Sequence, residues 1–497
     1  MNPDHVRVAI VGTGFAGLGM AIKLKERGIE FTILERAHDV GGTWRDNSYP
    51  GCKCDVPSHL YSFSFAPNPE WSHTYSPQPE IQAYIRGCAQ EFGILPFIRF
   101  GHEVTDACWD GGGQRWRITT AAGELTADVL VLGNGPLSEP SIPPINGLDQ
   151  FEGTVFHSAT WDHDHDLSAE RVAVVGTGAS AIQFVPEIQP DVAQLHLFQR
   201  TPPWVLPHTD RPVKDFERKV YRRYPAAQRA VRAGVYWARE MVAYGMTKKP
   251  GIMKGTERIG RSQLRKQVPD AALREKLTPS YSPGCKRLLL SDDYYPALSA
   301  DNVEVVTARI HEVTPHSIVT ADGHEREVDT IIFGTGFRVT NNPLADIIRG
   351  KDGRTLASAW RDLGGMQAHL GTTVPGFPNM FMMAGPNTGI GHTSLVVMIE
   401  AQIRYVLDCL RLMDERGAVT VEPRLAPFEA YNAEVQRKMQ RTIWNTGGCS
   451  SWYLDANGRN STLWPDFTWR FVRMTKRFDV ENYDFAGRTA PALAEVG

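Results

Sequence analysis

The chain has 497 residues, 42% hydrophobic and 22% charged, with 45 Gly and 33 Pro. At roughly 150 residues per domain this allows about three domains, and it excludes a single small binding module, a fibrous chain and a low-complexity one. The net charge is only −3, but it is a cancellation: Arg211 to Lys276 holds 18 Lys and Arg against 6 Asp and Glu, so that segment carries +12 and the remainder −15.

No run approaches the roughly 18 consecutive apolar residues of a membrane span, and no signal-peptide core precedes the strand-like run from His5. A cytoplasmic protein without a membrane span is expected. Seven cysteines, including the close pair Cys52 and Cys54, make no secreted disulfide framework, so reduced thiols are expected.

The apolar run Val6 to Val11 feeds Gly12-Thr13-Gly14-Phe15-Ala16-Gly17, then a helical pattern to Arg27, a stop at Gly28 and a second strand from Phe31 ending in Glu35-Arg36. Strand, glycine turn, helix and strand in this order form a dinucleotide-binding unit. The first glycines let backbone approach a pyrophosphate, the third lets helix and strand close, and the helix N-terminus offers N–H groups to phosphate. The unit recurs 164 positions on: Arg171 to Val175 feeds Gly176-Thr177-Gly178-Ala179-Ser180-Ala181, and Leu195 to Phe198 ends in Gln199-Arg200-Thr201. A carboxylate at the first strand end suits an unphosphorylated ribose, as in FAD or NAD. An uncharged residue followed by Arg at the second suits the 2′-phosphate of NADPH.

Asp128 to Gly135 and Asp329 to Gly336 both read as buried strands running into glycine turns, each closing one unit. The proline-rich stretch 136–144 reads as a linker. The expected organisation is α/β, with two Rossmann-like dinucleotide-binding domains. Residues 1–138 and 340–497 form a discontinuous FAD domain, and 139–339 form an NADPH domain with a helical insertion at about 205–285. A loop Gly385 to Gly389 and a long amphipathic helix from about Thr393 to Met413 read equally as a flavin-facing helix terminus or as a plain core helix.

Gly41-Gly42-Thr43-Trp44-Arg45-Asp46-Asn47-Ser48-Tyr49-Pro50-Gly51-Cys52-Lys53-Cys54-Asp55 and Phe151-x-Gly153-x-x-x-His157-x-x-x-Trp161-Asp162 resemble the two fingerprints of the Baeyer–Villiger monooxygenases, in the family's order around the glycine turns. The resemblance covers essentially the whole chain. It implies FAD, NADPH and O2 chemistry through a C4a-peroxyflavin that converts a ketone into an ester or lactone.

By the same resemblance Arg287 is the catalytic arginine, a fixed cation for an oxyanion in a dry site, and Asp55 holds it over the flavin. Thr43, Trp44, Tyr61 and Val104 match flavin-contacting positions, Lys286 joins Arg200 and Thr201 at the 2′-phosphate, and Trp452 matches a mobile-loop tryptophan near NADP. Read alone, Lys286-Arg287 is a solvated pair, Asp55 a turn cap after Pro-Gly and Trp452 a core residue. His157 suits a linker role.

Asp162-His163-Asp164-His165-Asp166 places two histidines on one face without a third ligand, so no metal is expected. Cys52 and Cys54 are too close for the redox pair of a disulfide reductase. An N- or S-oxygenating flavin monooxygenase is the nearer alternative, and a non-enzymatic NADPH or nucleic-acid binder a distant one; no nucleic-acid motif accompanies the basic segment. That segment can concentrate an anionic cofactor. A monomer or weak oligomer acting on a small ketone is expected.

Overall fold

The computed structural model describes residues 5–455 and 457–487; positions 1–4 and 488–497, the outer ends of the expected first domain, lie outside the described residues. The first unit runs β1 (His5–Val11), α1 (Phe15–Glu26), β2 (Phe31–Glu35), a single turn α2 (Thr43–Asp46), α3 (Gln78–Glu91), β3 (Ile98–Phe100), β4 (Val104–Asp110), β5 (Arg115–Thr120) and β6 (Gly123–Leu132). β1 is central, parallel to β2 on one side and to β6 on the other. Val8, Ala9 and Ile10 are all fully buried, which is why β1 reads as an unbroken apolar run rather than an alternating one.

The second unit begins at β7 (Thr154–His157), followed by β8 (Arg171–Val175), α4 (Ala181–Ile188), β9 (Gln194–Phe198) and β10 (Val205–Leu206). Four helices then intervene: α5 (Asp215–Arg223), α6 (Pro225–Thr247), α7 (Met253–Gln267) and α8 (Ala271–Lys276). β11 (Leu289–Leu290) pairs with β10, so the insertion leaves and returns at one place. After α9 (Tyr294–Leu298) and β12 (Val303–Val306) come an antiparallel flap, β13 (Ile310–Val313), β14 (Ser317–Thr320) and β15 (Glu325–Glu327), and then β16 (Thr330–Phe333). The core sheet is parallel throughout, in the order β12-β9-β8-β16-β7.

The chain then returns to the first sheet. After α10 (Leu344–Ile347), β17 (Ile348–Arg349) pairs with β4; after α11 (Leu356–Asp362), β18 (Met380–Met382) pairs with β6. The two crossings run side by side, joined by Ser141 N–H to Gly336 O, Arg338 N–H to Glu139 O and a bridge between Pro140 and Phe337. α12 (Leu395–Arg416) packs on α1. Ser394 caps it by accepting from Val396 N–H, and Gly417, at φ 62°, ends it. The molecule is thus two Rossmann-like units with a helical insertion in the second.

Candidate active site

At the first glycine turn Gly12 has φ 93°, and a Cβ on Gly17 would lie 1.9 Å from Gly12 O. Only glycine lets α1 approach that closely. Gly12, Gly14 and Phe15 open onto a cleft of about 560 Å³ that is also lined by Glu35, Arg36, Thr43, Trp44, Tyr61 and Val104. One dinucleotide-sized cavity therefore gathers these expected residues, while Gly17 packs beneath it. The rings of Phe15 and Tyr61 meet edge-on at 5.2 Å, and Trp44 Nε1–H donates to Tyr61 Oη at 2.9 Å, giving the cleft a fixed aromatic wall. Leu395 and Val396, at the start of α12, line it as well.

Glu35 does not stand open as the spacing suggests. Its Oε2 accepts from Thr13 N–H and Oγ1–H, and its Oε1 from Ala37 N–H and Arg45 Nη1–H. Four donors fill a carboxylate, so a ribose hydroxyl gains Glu35 by displacing one of them; Arg45 is itself held by a bidentate pair with Asp46 and by Asp39 O. Arg36 turns to Glu139.

Asp55 lies outside this cleft and faces Arg287, 232 residues away. Arg287 Nη2–H donates to Asp55 Oδ1 at 2.6 Å and Nε–H donates to Oδ2, a bidentate pair. The side chains are 31% and 24% exposed respectively. The Asp55 charge, against the cost of burial, raises the guanidinium pKa above its already high range. Burial pushes the Asp55 carboxyl up, but Arg287 and, more weakly, Arg239 outweigh it and hold it below the usual carboxylate range. Both groups are therefore charged. Arg287 Nη1 meets no acceptor among the described residues, so a fixed cation keeps two N–H groups free.

At the second turn Gly176 has φ 115°, and a Cβ there would lie 2.4 Å from Gly334 O. Gly178 and Ala179 are exposed, just before α4, while Thr177 Oγ1–H donates to Thr201 O at 3.2 Å. Gln199 is buried and donates to Lys276 O, leaving the strand end uncharged. Burial, with the Arg200 charge adding to it, lowers the Lys286 pKa. Neither Lys286 nor Arg200 meets a carboxylate among the described residues. Two neighbouring cations without an acid suit a phosphate.

Both fingerprints meet where the units join. Gln183 of α4 accepts from Tyr49 Oη–H and donates to Lys53 O, and a Cβ on Gly51, at φ 73°, would lie 2.7 Å from Gln183 O. Trp161 packs on Phe156 and Phe184, and Tyr49 on Phe184. His157 is buried, its Nδ1 accepting from Ala159 N–H, and burial lowers its pKa to about 4. The His/Asp run does not hold its two histidines to one face. His163 meets Ser48 Oγ at 2.8 Å and His165 meets Glu170 and Thr330, and among the described residues no three metal-binding groups converge.

The expectation of reduced thiols is overturned: Cys285 and Cys449 form a disulfide across 164 residues, with Cα atoms 6.1 Å apart. Sequence spacing could not reveal it, because only the fold brings the segment before Lys286 onto the segment after Trp444. Cys52 and Cys54 are free and buried, and burial raises both thiols, Cys52 to about 12, which makes them poor redox groups.

Trp452 is 47% exposed, so it is not the core residue its type suggests. Its neighbour Tyr453 is the buried one; burial pushes it to about 12, and its ring lies within the fields of Arg287 and Asp55. Sequence reasoning missed Tyr453 and also Arg239, which donates to Tyr75 Oη at 2.8 Å and acts on Asp55. Only the position of Tyr453 beside Trp452 hinted at it.

A sequence profile described as flavin-binding monooxygenase-like matches residues 5–227. A Streptomyces coelicolor protein named Baeyer-Villiger monooxygenase is 53% identical over 497 residues, 99% of this chain and 95% of its own. A Pseudomonas aeruginosa protein of the same name is 50% identical, covering 99% and 93%. The crystal structure of OTEMO in complex with FAD and NADP superposes with a TM-score of 0.88 at 28% identity, covering 97% of this chain and 99% of that one.

Proposed function

The chain belongs to the Baeyer–Villiger monooxygenase family, and from that premise we propose that it is a flavin-dependent monooxygenase that converts ketones to esters or lactones, with Arg287 and Asp55 as its oxygenation site. FAD takes the aromatic-walled cleft and NADP(H) the second glycine turn, with Arg200, Thr201 and Lys286 around its 2′-phosphate. Residues 1–138 with 340–497 serve the flavin and 139–339 serve NADPH. Both groups fit. The cleft is floored by the glycine turn, dinucleotide-sized and walled by aromatic rings, and the two uncompensated cations ask for an anion. When bound, FAD activates dioxygen after NADPH has reduced it.

The chain's own part is electrostatic. Asp55 grips Arg287 through Nε and Nη2 and sets its plane, so that the Nη1 N–H groups can donate to the ketone oxygen. As negative charge builds on that oxygen, a cation already oriented stabilises it without reorganisation. A lysine's compact, rotatable ammonium has no rigid plane for two such contacts to set. Tyr453 is buried within the electrostatic reach of the pair, whose partial burial strengthens each interaction.

The free Nη1 of a fixed, charged arginine carries this reading. Purified enzyme with FAD, NADPH and a panel of cyclic, linear and aryl ketones yields esters or lactones carrying one oxygen from 18O2. Sulfoxides or hydroxylamines from control amines and sulfides, with no ester from any ketone, would overturn it.

A further inference from the structure

Helix α6 is built inside out. Its charged side chains from Ala230 onward point inward: Arg232 Nη1–H donates to His59 O and Leu60 O, Arg239 donates to Tyr75 Oη, and Glu240 accepts from Thr468 N–H and Trp469 N–H. The exposed positions from Ala230 to Tyr244 carry no charge. They include Trp237 at 57% exposure, Met241 at 74%, Val242 and Tyr244. The inward bonds prevent the helix from rolling to hide this face.

Cations frame it. Arg229 is exposed near the N-terminal end of the helix, to the side of the apolar row, and Lys249 and Lys254 flank the exposed Ile252 beyond its C-terminal end. None of the three meets a carboxylate among the described residues. Exposed aromatic and aliphatic side chains between unpaired basic residues match an anionic membrane surface: the apolar row enters the acyl boundary, Trp and Tyr sit at headgroup level and the cations meet lipid phosphates. We propose that the outer face of α6 docks this protein peripherally on an anionic bilayer. A second copy of the chain fits less well. A two-fold interface sets a patch against itself, which would bring these cations together with no acid between them. No helix among the described residues is long and apolar enough to cross a membrane, so the contact lies on the surface. The proposal does not depend on the reaction.

The test is co-sedimentation of the FAD-loaded full chain with vesicles of phosphatidylcholine alone or mixed with phosphatidylglycerol, at low and high salt. Binding to the mixed vesicles should exceed that to phosphatidylcholine alone by about tenfold or more and weaken with salt. Trp237→Ser with Met241→Ser should abolish it, and Lys249→Glu with Lys254→Glu should weaken it about tenfold, both with unchanged FAD content and NADPH oxidation. Equal sedimentation of wild type and variants, or none with either vesicle, overturns the proposal. So does a concentration-dependent dimer in vesicle-free sedimentation that Met241→Ser disperses, since the face would then join two copies.

Discussion

Arg287 and Asp55 hold each other across 232 residues of sequence, and the consequences are those of a charged pair at the edge of water. Asp55→Asn keeps the shape but removes the charge that fixes the guanidinium. Ester formation should fall at least about tenfold while NADPH-driven flavin reduction is unchanged, a split that stopped-flow absorbance and product analysis resolve. The lowered carboxyl pKa gives the pH profile its sign. The stabilising contribution of the pair is complete above the unfolded carboxyl pKa of about 3.9 and is lost only as pH falls through the lower folded value. Acid loss of activity at pH 5 to 6 therefore cannot come from Asp55. Arg200→Ala removes one of two cations at the second site. The Michaelis constant for NADPH should rise about 10- to 100-fold and that for NADH much less, the scale of a charge-assisted hydrogen bond; equal changes would remove Arg200 from the 2′-phosphate.

At the scale of elements, the two glycine turns were legible because their physics is local: a strand, a backbone that must come within contact distance of another, and a helix start. Long-range arrangements were not. Gly51 and Gln183 belong to different units, and only the fold shows that the first fingerprint rests on α4. The apolar row of α6 has the spacing of a buried stripe, and sequence periodicity cannot say which side of a helix meets the protein. The arginine pair itself came from resemblance, since Lys286-Arg287 read alone is a surface dipeptide. The disulfide is of the same kind. Cys285 precedes that pair and Cys449 precedes Trp452 and Tyr453, so the bond ties the arginine segment to the segment that carries these two aromatic residues. Alkylation of the denatured, unreduced protein should show five free thiols by mass and seven after reduction, in keeping with the free set of Cys52, Cys54, Cys88, Cys108 and Cys409. In the reduced protein, proteolysis within 449–455 should quicken; seven thiols before reduction would contradict the tether.

Across the whole molecule, labour is divided between parts that can be separated. In the proposed arrangement the first sheet and its aromatic wall serve the flavin, the second sheet and its two cations serve NADPH, and the proposed oxygenation site is the Asp55–Arg287 pair, one residue from each unit. The near-neutral total charge hides this arrangement, because the basic surplus sits in one helical insertion. Separate parts should fail separately. The most direct measurement is the ratio of ester formed to NADPH consumed in Arg287→Ala, with FAD bound and oxygen and ketone saturating. The account predicts that flavin reduction by NADPH persists near the wild-type rate while the ester yield drops at least about 100-fold, with oxygen released as hydrogen peroxide. An unchanged ratio of ester to NADPH in that variant would contradict it.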